Sequence, residues 1–199
     1  MTGFHPIEIE SYRILHERVD LSGWPPGARE VVTRMIHATA DVGFAASVRI
    51  GVDAIPAALE ALGGGAPVIV DAAMVAAGAP RVSTTCLLDQ VPVAPSGSTR
   101  AAAAIALAVE LHPVGALWVV GNAPTALVQL MALHRDGVVD PAAVIGVPVG
   151  FVGAAEAKAE LWGGPLASRA ITNVGERGGS PAAAAALNAL HRLHRGGPN

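Results

Sequence analysis

A chain of 199 residues with 52% hydrophobic side chains is the size of one domain and can bury a sizeable core. Charged residues make up only 15%, against roughly 25% in ordinary soluble domains, so part of the surface is expected to be covered by a second subunit. A formal charge of −3, with no Lys/Arg run and no interleaved aromatics, excludes a track for a nucleic-acid backbone.

The single cysteine, Cys86, has no internal disulfide partner and no metal-like neighbours in sequence, which points to the cytoplasm. The opening MTGFHPIEIESY is acidic and lacks an apolar segment, so it does not read as a signal peptide. Pro113 to Leu133 carries no formal charge, but Gly121, Asn122, Pro124 and Gln129 interrupt it centrally. A buried strand followed by a helix fits that stretch better than a membrane span.

In chain order, Pro25 and Pro26 precede a helix in which Val32, Met35, Ile36 and Thr39 share one side, with Gly43 near its end. Asp53 to Ala61 reads as a short helix, and Gly63 to Gly65 punctuates the chain before the buried strand and helix of PVIVDAAMV. STTCLLD, Ser83 to Asp89, is expected to be a strand, with Cys86 inside it. VPVAPSGS is a loop that delivers Thr99 and Arg100 to a helix ending near Leu111. Three further strand and helix pairs follow: Leu117–Gly121 with a helix through His134, Ala143–Val147 with a helix through Leu161, and Ser168–Val174 with an Ala-rich last helix.

This alternation predicts a single α/β domain over residues 1–199, a mostly parallel sheet covered by helices in a Rossmann-like three-layer arrangement. Strand carboxyl ends then fall near Asp71, Asp89, Asn122, Pro148 and Asn173, the edge where open α/β sheets bind ligands. At the junction after Gly121, Asn122 is placed to cap the helix, Pro124 sits where a missing N–H costs little, and Thr125 adds a hydroxyl. Free backbone N–H groups there suit a ligand; a tight, well-capped turn explains the pattern equally well.

Arg34, His37 and Asp41 recur at i, i+3 and i+7, which puts a guanidinium, an imidazole and a carboxylate on one helix face. Such a trio can hold a carboxylate and move a proton near neutral pH. Taken alone, the stripe fits a solvated helix face better. His5, His16, His112, His134, His191 and His194 lack zinc-ligand spacing, so no metal is expected. GERGGS, Gly175 to Ser180, offers flexible N–H groups and Arg177 to an anion, but neither a Walker loop nor a dinucleotide-binding glycine pattern is present.

The motifs IEIES (Ile7–Ser11), RMIHA (Arg34–Ala38), VDAAMV (Val70–Val75), STRAAAA, VGNAPTAL, IGVPVGFVGAAEAK and GGS…ALNAL succeed one another across nearly the whole chain. In this order and spacing the sequence resembles the precorrin-8X methylmutases, also called cobalt-precorrin-8 methylmutases, of corrin (vitamin B12) biosynthesis. The resemblance implies a homodimeric isomerase that moves a methyl group from carbon 11 to carbon 12 of a carboxylated tetrapyrrole, giving hydrogenobyrinic acid or its cobalt-containing cobyrinate counterpart. It implies His37 as proton donor and acceptor, Ser11 and Arg34 as substrate contacts, and Arg100 reaching the active site near the dimer interface.

An intramolecular shift needs no acceptor or cofactor, so holding the ring and lending one proton suffices. Asn122 and Thr125 are expected to add neutral hydrogen bonds to the substrate, and Asp41 to favour protonation of His37. Product channeling to the next pathway enzyme is compatible with this chemistry. Relatives often carry an acidic residue at Ala73, a serine at Ala157 and a longer loop before STTCLLD. The competing readings are a non-catalytic tetrapyrrole carrier and, well behind it, a nucleotide-binding α/β domain.

Overall fold

The computed structural model describes residues 5–196. Met1–Phe4 and the last three residues, 197–199, lie outside the described residues, and with them the opening of MTGFHPIEIESY and both ends of the 1–199 domain span.

Five short strands form one sheet in the order β1-β5-β4-β3-β2: β1 (Val48–Ile50), β2 (Val68–Val70), β3 (Leu117–Val120), β4 (Ala143–Gly146) and β5 (Ala170–Asn173). Strands β2 to β5 are parallel, with Val119 opposite both Val70 and Ile145, while β1 pairs antiparallel to β5 with Val48 opposite Asn173. Residues alternate across the sheet with the period of two that a strand imposes. Leu117, Val119, Val68, Val70 and Ile145 enter one core, and Trp118, Val120, Ile69 and Val144 enter the other. Both faces are therefore dry, which is why these strands read as continuous apolar runs.

Successive crossovers carry α6 (Arg100–Leu111), α7 (Pro124–Arg135) and α8 (Ala154–Gly163) to the Trp118 face. From β2 onward the chain steps one strand at a time in a single direction, and right-handed crossovers then stack α6, α7 and α8 on one side. The opposite face is closed by α2 (Pro26–Thr39), α4 (Ala54–Gly63), α5 (Ala73–Gly78) and α9 (Ser180–His194). Helix α1 (Pro6–Arg18) lies on α2, and α3 (Phe44–Ser47) is a single turn before β1.

Ala182, Ala183, Ala185, Ala186 and Ala189 of α9 are buried, and their small side chains let the helix press close to its neighbours. A Cβ on Gly78 would come within 2.6 Å of the Ala184 methyl, and one on Gly121 within 2.5 Å of the Ala183 methyl.

Three sequence expectations change. STTCLLD is not a strand: only Thr85 bridges Ile69, trading backbone bonds with Val68 and Val70, and Leu88–Gln90 is a 3₁₀ turn. The carbonyls of Leu88 and Val91 are taken by the Arg100 side chain, at 3.0 and 2.6 Å, which pulls the segment away from the sheet edge. Cys86 thus sits in a loop, half-buried, and Asp89 ends no strand. Helix α2 stops at Thr39, with Ala40 left-handed at φ 52°, so Asp41 lies beyond the helix. Strand β1 and helix α1 add to the elements read from sequence.

Candidate active site

Helix α2 runs beside α9, and its last turn meets the first half of α9 near the carboxyl edge of the sheet. His37 and Arg34 open there into a pocket of 260 Å³ walled by Ala38, Gly78, Pro181, Ala184, Ala185 and Asn188. Asn188 ties the wall together by donating from Nδ2 to the Gly78 carbonyl at 2.8 Å.

Tyr12 of α1, which sequence reading did not single out, completes the cluster. Its ring lies flat on the His37 imidazole with centroids 4.4 Å apart and planes 14° from parallel. Stacking covers one face of the imidazole and leaves its nitrogens, which lie in the ring plane, at the edge. Arg34 donates from Nη1 to the Tyr12 hydroxyl at 2.6 Å and sits 3.6 Å from the Glu8 carboxylate. Burial pushes the Tyr12 phenol up from its ordinary value, against the pull of Arg34, so it stays neutral at physiological pH. Ser11 precedes Tyr12 on α1 and is half-buried.

Asp41 does not serve His37. Its Oδ1 accepts from the Gly43 backbone at 2.9 Å and from Arg177 Nη1 at 3.1 Å, because the chain has already left the helix. The Asp41–Arg177 pair borders a second, larger cavity of 770 Å³ lined by Gly43, Ala46, Val149, Phe151 and Val174 among others.

The junction after β3 is built differently from the sequence expectation. Asp71, directly after β2, is buried, and its two carboxylate oxygens accept from the backbone N–H groups of Gly121, Asn122 and Ala123 at 2.7–2.9 Å. Those donors are spent within the fold and are not free for a ligand. Ala123 is the residue that caps α7, and Asn122 makes no side-chain cap; its side chain is exposed at the sheet edge. Burial pushes the Asp71 carboxyl up from the usual carboxylate range, opposed by the three N–H donors.

Thr125 joins its hydroxyl to that of Thr99 at 2.7 Å, linking the amino ends of α7 and α6 next to Arg100. Ser11, Arg34 and His37 therefore gather with Tyr12 on the α2 side of the sheet, whereas Arg100, Asn122 and Thr125 gather at the amino ends of the helices on the other side. Arg100 spends Nε and Nη2 on carbonyls of its own chain. Among the described residues no helix is long and apolar enough to cross a membrane.

Comparison with known proteins supplies the reaction. A family profile described as precorrin-8X methylmutase matches residues 6–193. A Sinorhizobium precorrin-8X methylmutase is 40% identical over 92% of this chain and 91% of the relative. A Priestia megaterium cobalt-precorrin-8 methylmutase is 35% identical over 94% of this chain and 87% of the relative. The solved Thermus thermophilus precorrin-8X methylmutase superposes with a TM-score of 0.85 at 40% identity, covering 97% of this chain and 98% of that one. The chain belongs to the precorrin-8X methylmutase family and is an isomerase of corrin biosynthesis.

Proposed function

We propose that the chain shifts the methyl group of precorrin-8X, or of its cobalt form, from carbon 11 to carbon 12, with His37 lending and recovering the proton. The observation that carries this reading is the His37 imidazole held flat on Tyr12 above a pocket that also contains Arg34. His37 donates to the macrocycle near the migrating methyl; the bond from carbon 11 breaks as the bond to carbon 12 forms, and the proton returns as the new conjugation develops. No net proton, electron or group leaves the substrate. Arg34 pairs with a carboxylate arm, Ser11 hydrogen-bonds the periphery beside it, and the small residues Ala38, Gly78, Ala184 and Ala185 leave room for the ring.

Pockets for small molecules commonly span about 300–1,000 Å³; at 260 Å³ the His37 pocket is too small to enclose a tetrapyrrole. We infer that a second copy supplies the missing wall in a homodimer, bringing Arg100, Asn122 and Thr125 of one protomer to the His37 cluster of the other. The low charge content and the exposed apolar side chains of Ile7, Ile9, Met74, Phe151 and Val152 support that surface burial. The cytoplasm is the compartment that suits its one thiol, and slow product release would favour hand-over to the next enzyme.

Incubation of the purified protein with metal-free precorrin-8X and with cobalt-precorrin-8, monitored by absorption and by chromatography of the product, tests the reading. Turnover of either form that disappears in His37→Ala is the expected result. Binding without isomerisation in both would identify a carrier instead.

A further inference from the structure

The segment between β5 and α9, residues 174–179, is held more tightly than a connection requires. Gly175, Gly178 and Gly179 have φ of 85°, 159° and 115°, and a Cβ on Gly178 would collide with the Val147 carbonyl. Gly179 donates to the Val147 carbonyl at 2.9 Å, and Gly150 to the Glu176 carbonyl at 3.2 Å. The Arg177 carbonyl accepts two side-chain donors, Lys158 Nζ at 2.6 Å and Asn173 Nδ2 at 2.7 Å. Lys158 is only 1% exposed, and burial pushes its amine down to about 8. Lys158 Nζ also donates to Asn173 Oδ1 at 3.4 Å, and burying an ammonium to hold these two acceptors is costly for a plain turn.

The side chain presented by this turn is Arg177, about half-exposed at the 770 Å³ cavity. Its guanidinium lies across Gly43, where a Cβ would occupy its place. Nη1 pairs with Asp41, while among the described residues Nε and Nη2 make no hydrogen bond. The cavity walls are otherwise largely Gly43, Ala46, Val149, Phe151 and Val174, apart from Ser47 and Glu176. Small and apolar walls around a guanidinium with an open edge match an alkyl arm ending in a carboxylate, which Arg can take in a two-pronged hydrogen bond.

We propose that Arg177 binds a carboxylate arm of the macrocycle in this cavity and that Lys158 is a positioning residue that acts through it. The proposal rests on the macrocyclic substrate proposed above. Asp41 holds the guanidinium in place until the arm arrives.

The test is a spectrophotometric titration of the full chain with hydrogenobyrinic acid, alongside kcat and KM on the substrate. Arg177→Gln is expected to raise Kd and KM about tenfold or more, the scale of one charge-assisted pair, with kcat within about threefold. Arg177→Lys recovers part of the affinity. Gly43→Ala, which displaces the guanidinium without removing a charge, weakens binding in the same way. Lys158→Met weakens it several-fold, and Lys158→Met combined with Arg177→Gln binds no worse than Arg177→Gln alone. Unchanged affinity in Arg177→Gln, or additive losses in the double variant, overturns the proposal. A wild-type chain that binds the product yet turns over nothing defeats the methylmutase reading and leaves this comparison decisive; one that binds nothing defeats both.

Discussion

The hydroxyl of Tyr12 accepts a hydrogen bond from Arg34 at 2.6 Å while the same ring lies flat on His37. One residue from the first helix thus couples the group proposed to move a proton to the group proposed to grip the substrate. Tyr12→Phe keeps the stack and loses the Arg34 acceptor, so kcat/KM is expected to fall about 10-fold or more, the worth of one hydrogen bond to a charged group. Tyr12→Leu also removes the aromatic face and is expected to lower kcat further, while His37→Ala costs about 10²–10⁴-fold. Steady-state kinetics of the three variants checks the order; a Tyr12→Leu enzyme with wild-type kcat would remove the stack from the mechanism.

Asp71 decides whether the β3–α7 junction keeps its shape. Asp71→Ala leaves three backbone N–H groups without their acceptor, the first of them at Gly121 against the Ala183 methyl. The Gly121 donor is buried and the other two are partly buried, so at about 1–3 kcal/mol for a buried donor left unpaired the loss is expected to exceed about 2 kcal/mol. Urea unfolding measures it, and a change below about 1 kcal/mol would mean that water replaces the carboxylate freely.

Much of this was legible from residues. The β-branched runs VIV, LWVV and AVIG placed three strands, because strands buried on both faces have no polar alternation to disguise them. The spacing of Arg34 and His37 put both on one pocket, since three residues are nearly one helical turn. Asp41 defeated the same rule: periodicity carries no mark of where a helix ends when the left-handed residue is Ala40 and not a glycine. Tyr12 was invisible because its partner lies far along the chain on another helix, and no local pattern encodes such a pair. Asp71 was placed at the sheet edge, yet that it consumes the N–H groups of Gly121–Ala123 is a long-range fact.

Lys158 makes stability depend on pH in a defined direction. Its folded value of about 8 lies below its ordinary 10.5, so between those values the unfolded chain binds more protons than the folded one. Stability is then expected to rise as pH climbs from about 8 toward about 10, with the penalty for the buried charge fully present below about 8. Lys158→Met lacks this rise. Chemical denaturation of both proteins at about pH 7, 8, 9 and 10 checks it: the wild type gains on the variant across the series, and parallel curves would contradict the buried ammonium.

Arg100 and His37 lie in opposite helical layers, so a shared site can be tested by mixing. Arg100→Ala and His37→Ala are each expected to be nearly inactive. Co-expressed chains that pair at random form mixed dimers in which one of two sites is intact, restoring about a quarter of wild-type activity. Recovery no greater than the parents supply would show that each chain builds its site alone.

The three helices that fill the Trp118 face leave the opposite face to α2, α4, α5 and α9, and the pocket of His37 is floored by α9. During synthesis, α2 must wait for more than a hundred residues before the helix it packs against emerges. Closing so long a loop is slow, and nothing in the central sheet can shape the pocket in the meantime. The pocket therefore waits for α9: a molecule made only as far as β5 can have its five strands and still lack this wall.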